Sequence, residues 1–462
     1  MNDVNINKIN KIYFVGIGGI GISAVAGIAH IRHFLTEGSD AAESEIVSGL
    51  RDHGIPVHVP HDASKITDKI SLIVRSVAVP DDNPEIIRAG ELKIPIISYP
   101  QFLGLLTQDK YGIAVSGTDG KTTTTAMIAK LLIDGGLDPT VVLGAKSEFL
   151  SDNWRVGDGK YFVYESDEYR RAFANYHPRL AVITNINLDH LDYFRDEADY
   201  VSAFADYLAE IPAGGFLVIN ADDKNCLAAA QRCAAKIVTY ALDNQADYLA
   251  KNIRVSGQKQ EFEIWRADKM EAEIELLIPG RHNVYDALAA YAAARLLEVE
   301  AVTIKKSLAE FKGAWRRFEH LGKFGQAEII ADYAHTPVAV KKTIAAAREF
   351  YPHRKILVVF QPHQYNRTKN FFSEFAASFS RADKVIIPDI YFVAGRENPA
   401  DFDVSGEMLA AAIKQKGIDA VYGGDLEQTE KIIRDIGQDF DLIIIMGAGD
   451  IYEVGKKLVN KK

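Results

Sequence analysis

Short unbroken apolar runs punctuate the chain, most of them followed by a glycine, a serine or an acid and then by a helix-like stretch. KIYFVGI, IPVHV, SLIVRSV and IPIIS are of this kind. Strands buried on both faces read this way, because helices cover a parallel sheet from each side. A small parallel sheet is therefore expected, with ISAVAGIAHI as its first helix, ending near residue 107. YGIAVSG opens a second series, continued by PTVVLGA, FVYES and LAVITNI, while EFEIWRA and AEIELLI alternate apolar and polar residues as antiparallel strands do. The expectation is a large central sheet with a smaller antiparallel one attached. A helix breaks at Gly313 in FKGAWRRFEH, and AEIIADYAH, KILVVFQPH, KVIIPDIY and DLIIIMGAG then alternate with helical stretches. The pattern predicts three α/β domains, 1–107, 108–313 and 314–462.

Size agrees with that division, since 462 residues are too many for one core. The net charge of -10, from 53 basic and 63 acidic residues, argues against a nucleic-acid surface and favours small-molecule partners. No apolar run reaches the roughly 20 residues of a membrane span, and MNDVNINKINK lacks a secretion signal's apolar segment, so a cytoplasmic protein is expected. The two cysteines, Cys226 and Cys233, read as small apolar residues on one helical face, which excludes a disulfide framework or a cysteine metal cluster.

The candidate chemistry begins at VSGTDGKTTTT, Val115 to Thr125. Val115 stands where a standard Walker loop has its first glycine. Gly117, Thr118, Gly120, Lys121, Thr122 and Thr123 nevertheless lie between a strand and a helix, and supply backbone amides, a cation and hydroxyls to a polyphosphate. The central domain thus reads as a P-loop-type ATPase. Its magnesium needs oxygen or imidazole partners, and Glu165, Asp167 and Glu168, with Asp189 and His190, follow the next two apolar strands at the ligand-binding edge. In the first domain, Gly16, Gly18, Gly19 and Gly21 fit GxGxxG after a strand, with Asp40 nineteen residues beyond the last. That fingerprint places a diphosphate at a helix N-terminus, and NAD or any other nucleotide diphosphate satisfies it.

GTDGKTTTT, ESDE, TNINLDHLDYF, PGRHNVYDALAA, WRRFEH, DYAHTP, FQPHQYNRT and MGAGDI occur in the order found in the Mur ligases, and the chain resembles that family over essentially its whole length. GIGGIG, DNPEI (Asp82 to Ile86) and FQPHQYNRT (Phe360 to Thr368) are most similar to the branch that joins L-alanine to UDP-N-acetylmuramate in peptidoglycan precursor synthesis. The resemblance implies Rossmann-like first and third domains, holding the UDP-sugar and the amino acid, around a central domain that binds ATP and Mg²⁺. It moves the glycine fingerprint from NAD to the diphosphate of a UDP-linked substrate. It also implies an acyl-phosphate intermediate, and a monomer or homodimer is expected.

Residue by residue, the resemblance makes Lys121 the phosphate lysine, Thr122 a magnesium hydroxyl, and Glu168 and His190 ligands of a second magnesium. Asn283, with His282 beside it, would contact the adenine, and Asp332 and His335 would reach the nucleotide from the third domain. His363, Tyr365 and Arg367 would line the amino-acid pocket, with Arg317 of WRRFEH among the substrate contacts. Asp119 and Thr336 stand where the family commonly has histidine, and Tyr169, Arg170 and Arg171 replace a commoner run that meets the sugar. Phe204 holds the place of a carbamylated lysine that other branches use and the alanine-adding branch lacks. The alternative is a Mur-type ligase for a peptide or another UDP-linked acceptor. A non-catalytic nucleotide-sugar sensor and an NAD dehydrogenase are the rivals from other classes.

Overall fold

The computed structural model describes residues 4, 6–150, 152–190, 193–393 and 397–459. Leu191 and Asp192 of TNINLDHLDYF, and the outer ends of the first and third expected domains, lie outside the described residues. KIYFV becomes β1 (Lys11–Val15), buried in all but its first residue. It lies at the centre of a parallel sheet with β2 (Leu35–Ser39), β3 (Val57–His58), β4 (Leu72–Arg75) and β5 (Ile96–Ser98), in the order β3-β2-β1-β4-β5. Strand order reverses direction at β1, so the crevice at its carboxyl end is where this architecture binds ligands. The glycine loop follows there, leading into the helix Ile20–Ile31. LTEGS of β2 has no apolar run and is strand only because it pairs with β1 from Lys11↔Leu35 to Val15↔Ser39.

The central sheet has ten strands: β6 (Tyr111–Ser116), β7 (Thr140–Val142), β8 (Trp154–Arg155), β9 (Tyr161–Glu165), β10 (Leu180–Ile183), β11 (Phe216–Asn220), β12 (Lys236–Ala241), β13 (Tyr248–Ser256), β14 (Lys259–Arg266) and β15 (Lys269–Leu276). Their order is β15-β14-β13-β12-β11-β10-β6-β9-β7-β8. The expected smaller sheet is the end of this same sheet. β12 and β13 pair in parallel through Tyr240↔Tyr248 and Ala241↔Leu249, and two-residue turns at Gly257–Gln258 and Ala267–Asp268 then reverse the chain twice. Between its neighbours β10 and β9, β6 feeds the helix Lys121–Asp134, which places the phosphate loop mid-sheet.

The last sheet comprises β16 (Glu319–Phe324), β17 (Ala327–Asp332), β18 (Ile356–Phe360), β19 (Lys384–Pro388), β20 (Ala420–Gly424) and β21 (Leu442–Met446), in the order β16-β17-β21-β18-β19-β20. All pairs are parallel except β16 with β17. ILVVF of β18 and LIIIM of β21 are wholly buried, and apolar clusters cover both faces of the sheet. Contact density groups Met1–Lys251, Glu263–Glu273 and Tyr285–Leu308 into one unit, and Asn252–Phe262, Ile274–Val284 and Ala309–Lys462 into a second.

The expected common helical face of the cysteines is not formed. The helix Lys224–Ala229 holds buried Cys226 but tightens into a 3₁₀ turn, Ala230–Arg232, which leaves Cys233 extended and half-buried. Both thiols are free. No helix among the described residues is long and apolar enough to cross a membrane.

Candidate active site

The phosphate loop is bolted to the strand beside it. Thr118 N–H donates to Asn185 O at 2.9 Å and Asp119 N–H to Asn185 Oδ1 at 3.0 Å, while Thr184 Oγ1 and Asn185 Nδ2 donate to Asp119 O at 2.6 and 2.9 Å. The first-turn N–H groups of the helix Lys121–Asp134 have no intrahelical acceptors and suit an anion. Gly120 caps this helix in the left-handed region, at φ +81°, and a Cβ there would lie 2.4 Å from Asp286 Oδ1. Only glycine suits both demands.

Lys121 folds back over the loop. Its Nζ lies 2.9 and 3.1 Å from the two oxygens of Glu168 and donates to Gly117 O and Thr118 O at 2.5 and 3.2 Å. Glu168 is 1% exposed, so its charge depends on partners rather than water. Burial opposes ionisation of this carboxyl, but Lys121 and His190 outweigh it and hold its pKa below the usual range. Burial likewise opposes the Lys121 ammonium, and Glu168, Asp167 and Glu165 more than offset it. His190 Nε2 lies 3.4 Å from Glu168 Oε1, and Asp167, Glu168 and His190 present ligand atoms within 4.8 Å of one another. His190 is shifted upward, with its carboxylate neighbours overcoming burial. Thr122 Oγ1 donates to Glu165 Oε2 at 3.1 Å.

Tyr200 joins this group without a sequence motif to announce it. Its hydroxyl lies 3.1 Å from Thr118 Oγ1 and donates to Glu168 Oε1 at 3.3 Å. It comes from the helix Glu197–Ala209, and periodicity alone marks it as core. Tyr169 packs on the His190 ring at 4.8 Å, and Arg171 pairs with Asp199 and Asp206. Phe204 is fully buried beside Phe173 and Tyr200.

The glycine loop of the first sheet is closed by its own acid. Gly16 and Ile17 N–H both donate to Ser39 O at 2.9 Å, Gly19 N–H to Gly16 O at 3.3 Å, and Gly18 N–H to Asp40 Oδ2 at 2.7 Å. Tyr99 lies against Gly21, and burial first, then the carboxylates of Glu165 and Asp167, raise its pKa.

In the second unit, Asn283 Nδ2 donates to Pro279 O at 2.6 Å and touches His282 Nε2 at 3.3 Å. Burial, reinforced by Lys342, pushes His282 down to about 4. Asp332 accepts from Phe318 N–H and Ala334 N–H, each at 2.9 Å, and from Thr343 Oγ1 at 3.1 Å; burial raises its pKa. Arg317 stacks on Tyr333 at 4.7 Å, and Thr336 caps the helix Pro337–Phe350. The His335 and His363 rings are 6.2 Å apart, Arg367 Nη1 is 3.4 Å from His363 Nδ1, and Tyr391 stacks flat on His363 at 5.3 Å. Tyr365 leans on Phe402 at 4.7 Å, its N–H held by Glu397 at 3.1 Å. Tyr391 and Glu397 are members of this cluster that sequence reasoning missed, since they arrive from a separate loop.

Comparison with known proteins adds an independent line. Family models described as "Mur ligase family, catalytic domain", "Mur ligase middle domain" and "Mur ligase, glutamate ligase domain" match residues 11–111, 115–294 and 316–449. The chain is 38% identical over 430 residues to a UDP-N-acetylmuramate--L-alanine ligase of Clostridium novyi, covering 93% of each. It is 40% identical to the enzyme of the same name from Desulfitobacterium hafniense, over 91% of this chain and 93% of that one. A UDP-N-acetylmuramate-alanine ligase structure from Thermotoga maritima superposes with a TM-score of 0.84 at 33% identity, covering 97% of this chain and 98% of the other.

Proposed function

We propose that this chain, which belongs to the Mur ligase family, is an ATP-dependent ligase that joins L-alanine to UDP-N-acetylmuramate in peptidoglycan precursor synthesis. The observation that carries the reading is the convergence of Lys121, Glu168 and His190 on the phosphate loop. Likeness over more than nine-tenths of the chain to alanine-adding ligases supports the substrate pair. The proposed division of labour follows 1–107, 108–313 and 314–462, for UDP-sugar, ATP and amino acid, in a cytoplasmic enzyme.

A carboxylate is a poor acyl donor because its leaving group would be an oxide. In the proposed reaction the sugar carboxylate attacks the γ-phosphorus of ATP, ADP leaves, and an acyl phosphate forms. The alanine amine then adds to the acyl carbon, and the tetrahedral intermediate loses a proton and expels phosphate to leave an amide. Both steps gather negative charge on oxygens, so positioning and electrostatics do most of the catalysis. Lys121 has the reach to exchange Glu168 for a phosphate oxygen, and the first-turn amides after Gly120 hold the polyphosphate. The hard oxygen donors of Asp167 and Glu168, with the His190 imidazole and the Thr122 hydroxyl, fit Mg²⁺. Bound there, Mg²⁺ would neutralise phosphate charge. Glycine-loop amides would hold the UDP diphosphate once Asp40 releases Gly18, and His335, His363, Tyr365 and Arg367 would receive the amino acid, Arg367 pairing with its carboxylate.

Phosphate release from ATP tests the reading, with UDP-N-acetylmuramate present and single amino acids or short peptides supplied in turn. Release that needs both the sugar and L-alanine is expected. A strong preference for a tripeptide would reassign the acceptor, and release indifferent to the sugar would end the proposal.

A further inference from the structure

We propose that Asn153 is a positioning residue that ties the phosphate loop to the first turn of the helix Ile20–Ile31, so that nucleotide binding sets the glycine loop for the UDP-sugar. The identity of that sugar rests on the function proposed above. The connection runs through hydrogen bonds and one peptide link. Thr122 Oγ1 donates to Glu165 Oε2 at 3.1 Å, and Glu165 Oε1 accepts Gly144 N–H at 2.5 Å. Leu143, the next residue back, donates its N–H to Asn153 O at 2.8 Å and accepts from Asn153 Nδ2 at 3.3 Å. The same Nδ2 donates to Ile20 O at 2.5 Å, so both amide protons of Asn153 are used, one on each side of the junction. Leu143 is fully buried and Asn153 is 2% exposed, so water cannot replace these bonds.

The β7–β8 hairpin that carries Asn153 is fastened to the same helix once more, and to the helix Glu45–Asp52 that follows it. A Cβ at Gly27 would lie 2.3 Å from the Trp154 ring, so the indole lies directly on the helix backbone and only glycine permits the contact. Lys146 pairs with Glu45 at 3.1 Å and Asp152 with His53 at 3.2 Å, and the His53 ring meets Trp154 at 5.5 Å. A bonded path alone is no proof of coupling. The energetic reason for it lies at Thr122. When its hydroxyl turns to a nucleotide phosphate or the metal that accompanies it, Glu165 loses that donor, and the carboxylate and Gly144 settle anew. Asn153 passes the adjustment to Ile20, one residue from Gly19 and next to Gly21.

Hydrogen exchange on the full chain, with and without a non-hydrolysable ATP analogue and Mg²⁺, reads this directly. In the wild type, nucleotide is expected to slow exchange in residues 20–31 by about fivefold or more, the low end of ordinary site coupling. In Asn153→Ala that response is lost, while protection of residues 121–134 by nucleotide persists. An undiminished response in residues 20–31 of the variant overturns the proposal, as does its absence in the wild type. Affinity for UDP-N-acetylmuramate, measured with and without the analogue, gives the second arm: the analogue tightens sugar binding in the wild type and not in Asn153→Ala, whose affinity without nucleotide is unchanged. Failure of the wild type to bind this sugar at all ends the substrate assignment, and hydrogen exchange still judges Asn153. Should Asn153→Ala fold poorly, Asn153→Leu keeps nearly the same shape and removes both amide donors; a lost response supports the proposal and a full one refutes it.

Discussion

Lys121 illustrates how one side chain can be legible in sequence and still be understood only in its setting. Its place after Gly120 marks it as a phosphate lysine, but its pairing with buried Glu168 comes from the fold. Lys121→Ala and His190→Ala are each expected to lower turnover by about 100- to 1,000-fold or more, the scale for losing one group that meets transition-state charge. UDP-sugar binding, followed by calorimetry, should be largely intact; full activity in either variant removes the role assigned to that residue. His282 carries a pH signature of its own. Its pKa is about 4 in the folded chain against 6.5 for the free side chain, so the fold favours the neutral ring. Its contribution to stability is complete above pH 6.5 and is lost as pH falls toward 4. Urea unfolding between those limits should show a shallower acid loss in His282→Gln than in the wild type; equal slopes would mean that the ring is not buried neutral. Tyr200, Tyr391 and Glu397 could not be read from sequence, because nothing in their local spacing separates them from core or loop residues.

At the scale of elements, fully apolar strands were the most legible. β1, β18 and β21 stand where unbroken runs predict them, since a strand covered on both faces needs no polar side. β2 and the antiparallel edge β16 escaped, because pairing with β1 and β17 rather than local preference makes them strands. The cysteine helix failed for the converse reason: its periodicity runs on past Ala229, where the backbone tightens into a 3₁₀ turn. The helix Lys121–Asp134 depends on its glycine cap. Gly120→Ala imposes a left-handed backbone costing about 1–2 kcal/mol and a contact with Asp286, so a lower urea midpoint and a raised KM for ATP are expected together. A KM as in the wild type would separate the cap from phosphate binding. By contrast Ser98, which closes a capping box with Gln101 on the helix Tyr99–Thr107, serves stability alone. Ser98→Ala should cost about 1 kcal/mol in chemical unfolding and leave the Michaelis constants unchanged.

Across the whole molecule, the unit that carries Lys121 includes both the first sheet and most of the central one. A ligand that binds only the folded state adds about 2.7 kcal/mol at 100 times its Kd. An ATP analogue should therefore raise the thermal transition of that unit in the wild type and raise it less at the same concentration in Gly120→Ala; calorimetry checks it. What the sequence by itself determined is what short-range rules can carry: the α/β class, the loops that end apolar strands, and the residue types suited to phosphate and metal. Each depends on a residue and its near neighbours along the chain, so spacing is enough. Tertiary structure decided what depends on residues far apart in sequence. It made one ten-stranded sheet from the two expected in the centre, brought Tyr200 to Glu168, and laid Trp154 on Gly27. Such contacts are fixed by how finished elements pack, and a linear pattern does not contain the distances on which packing depends.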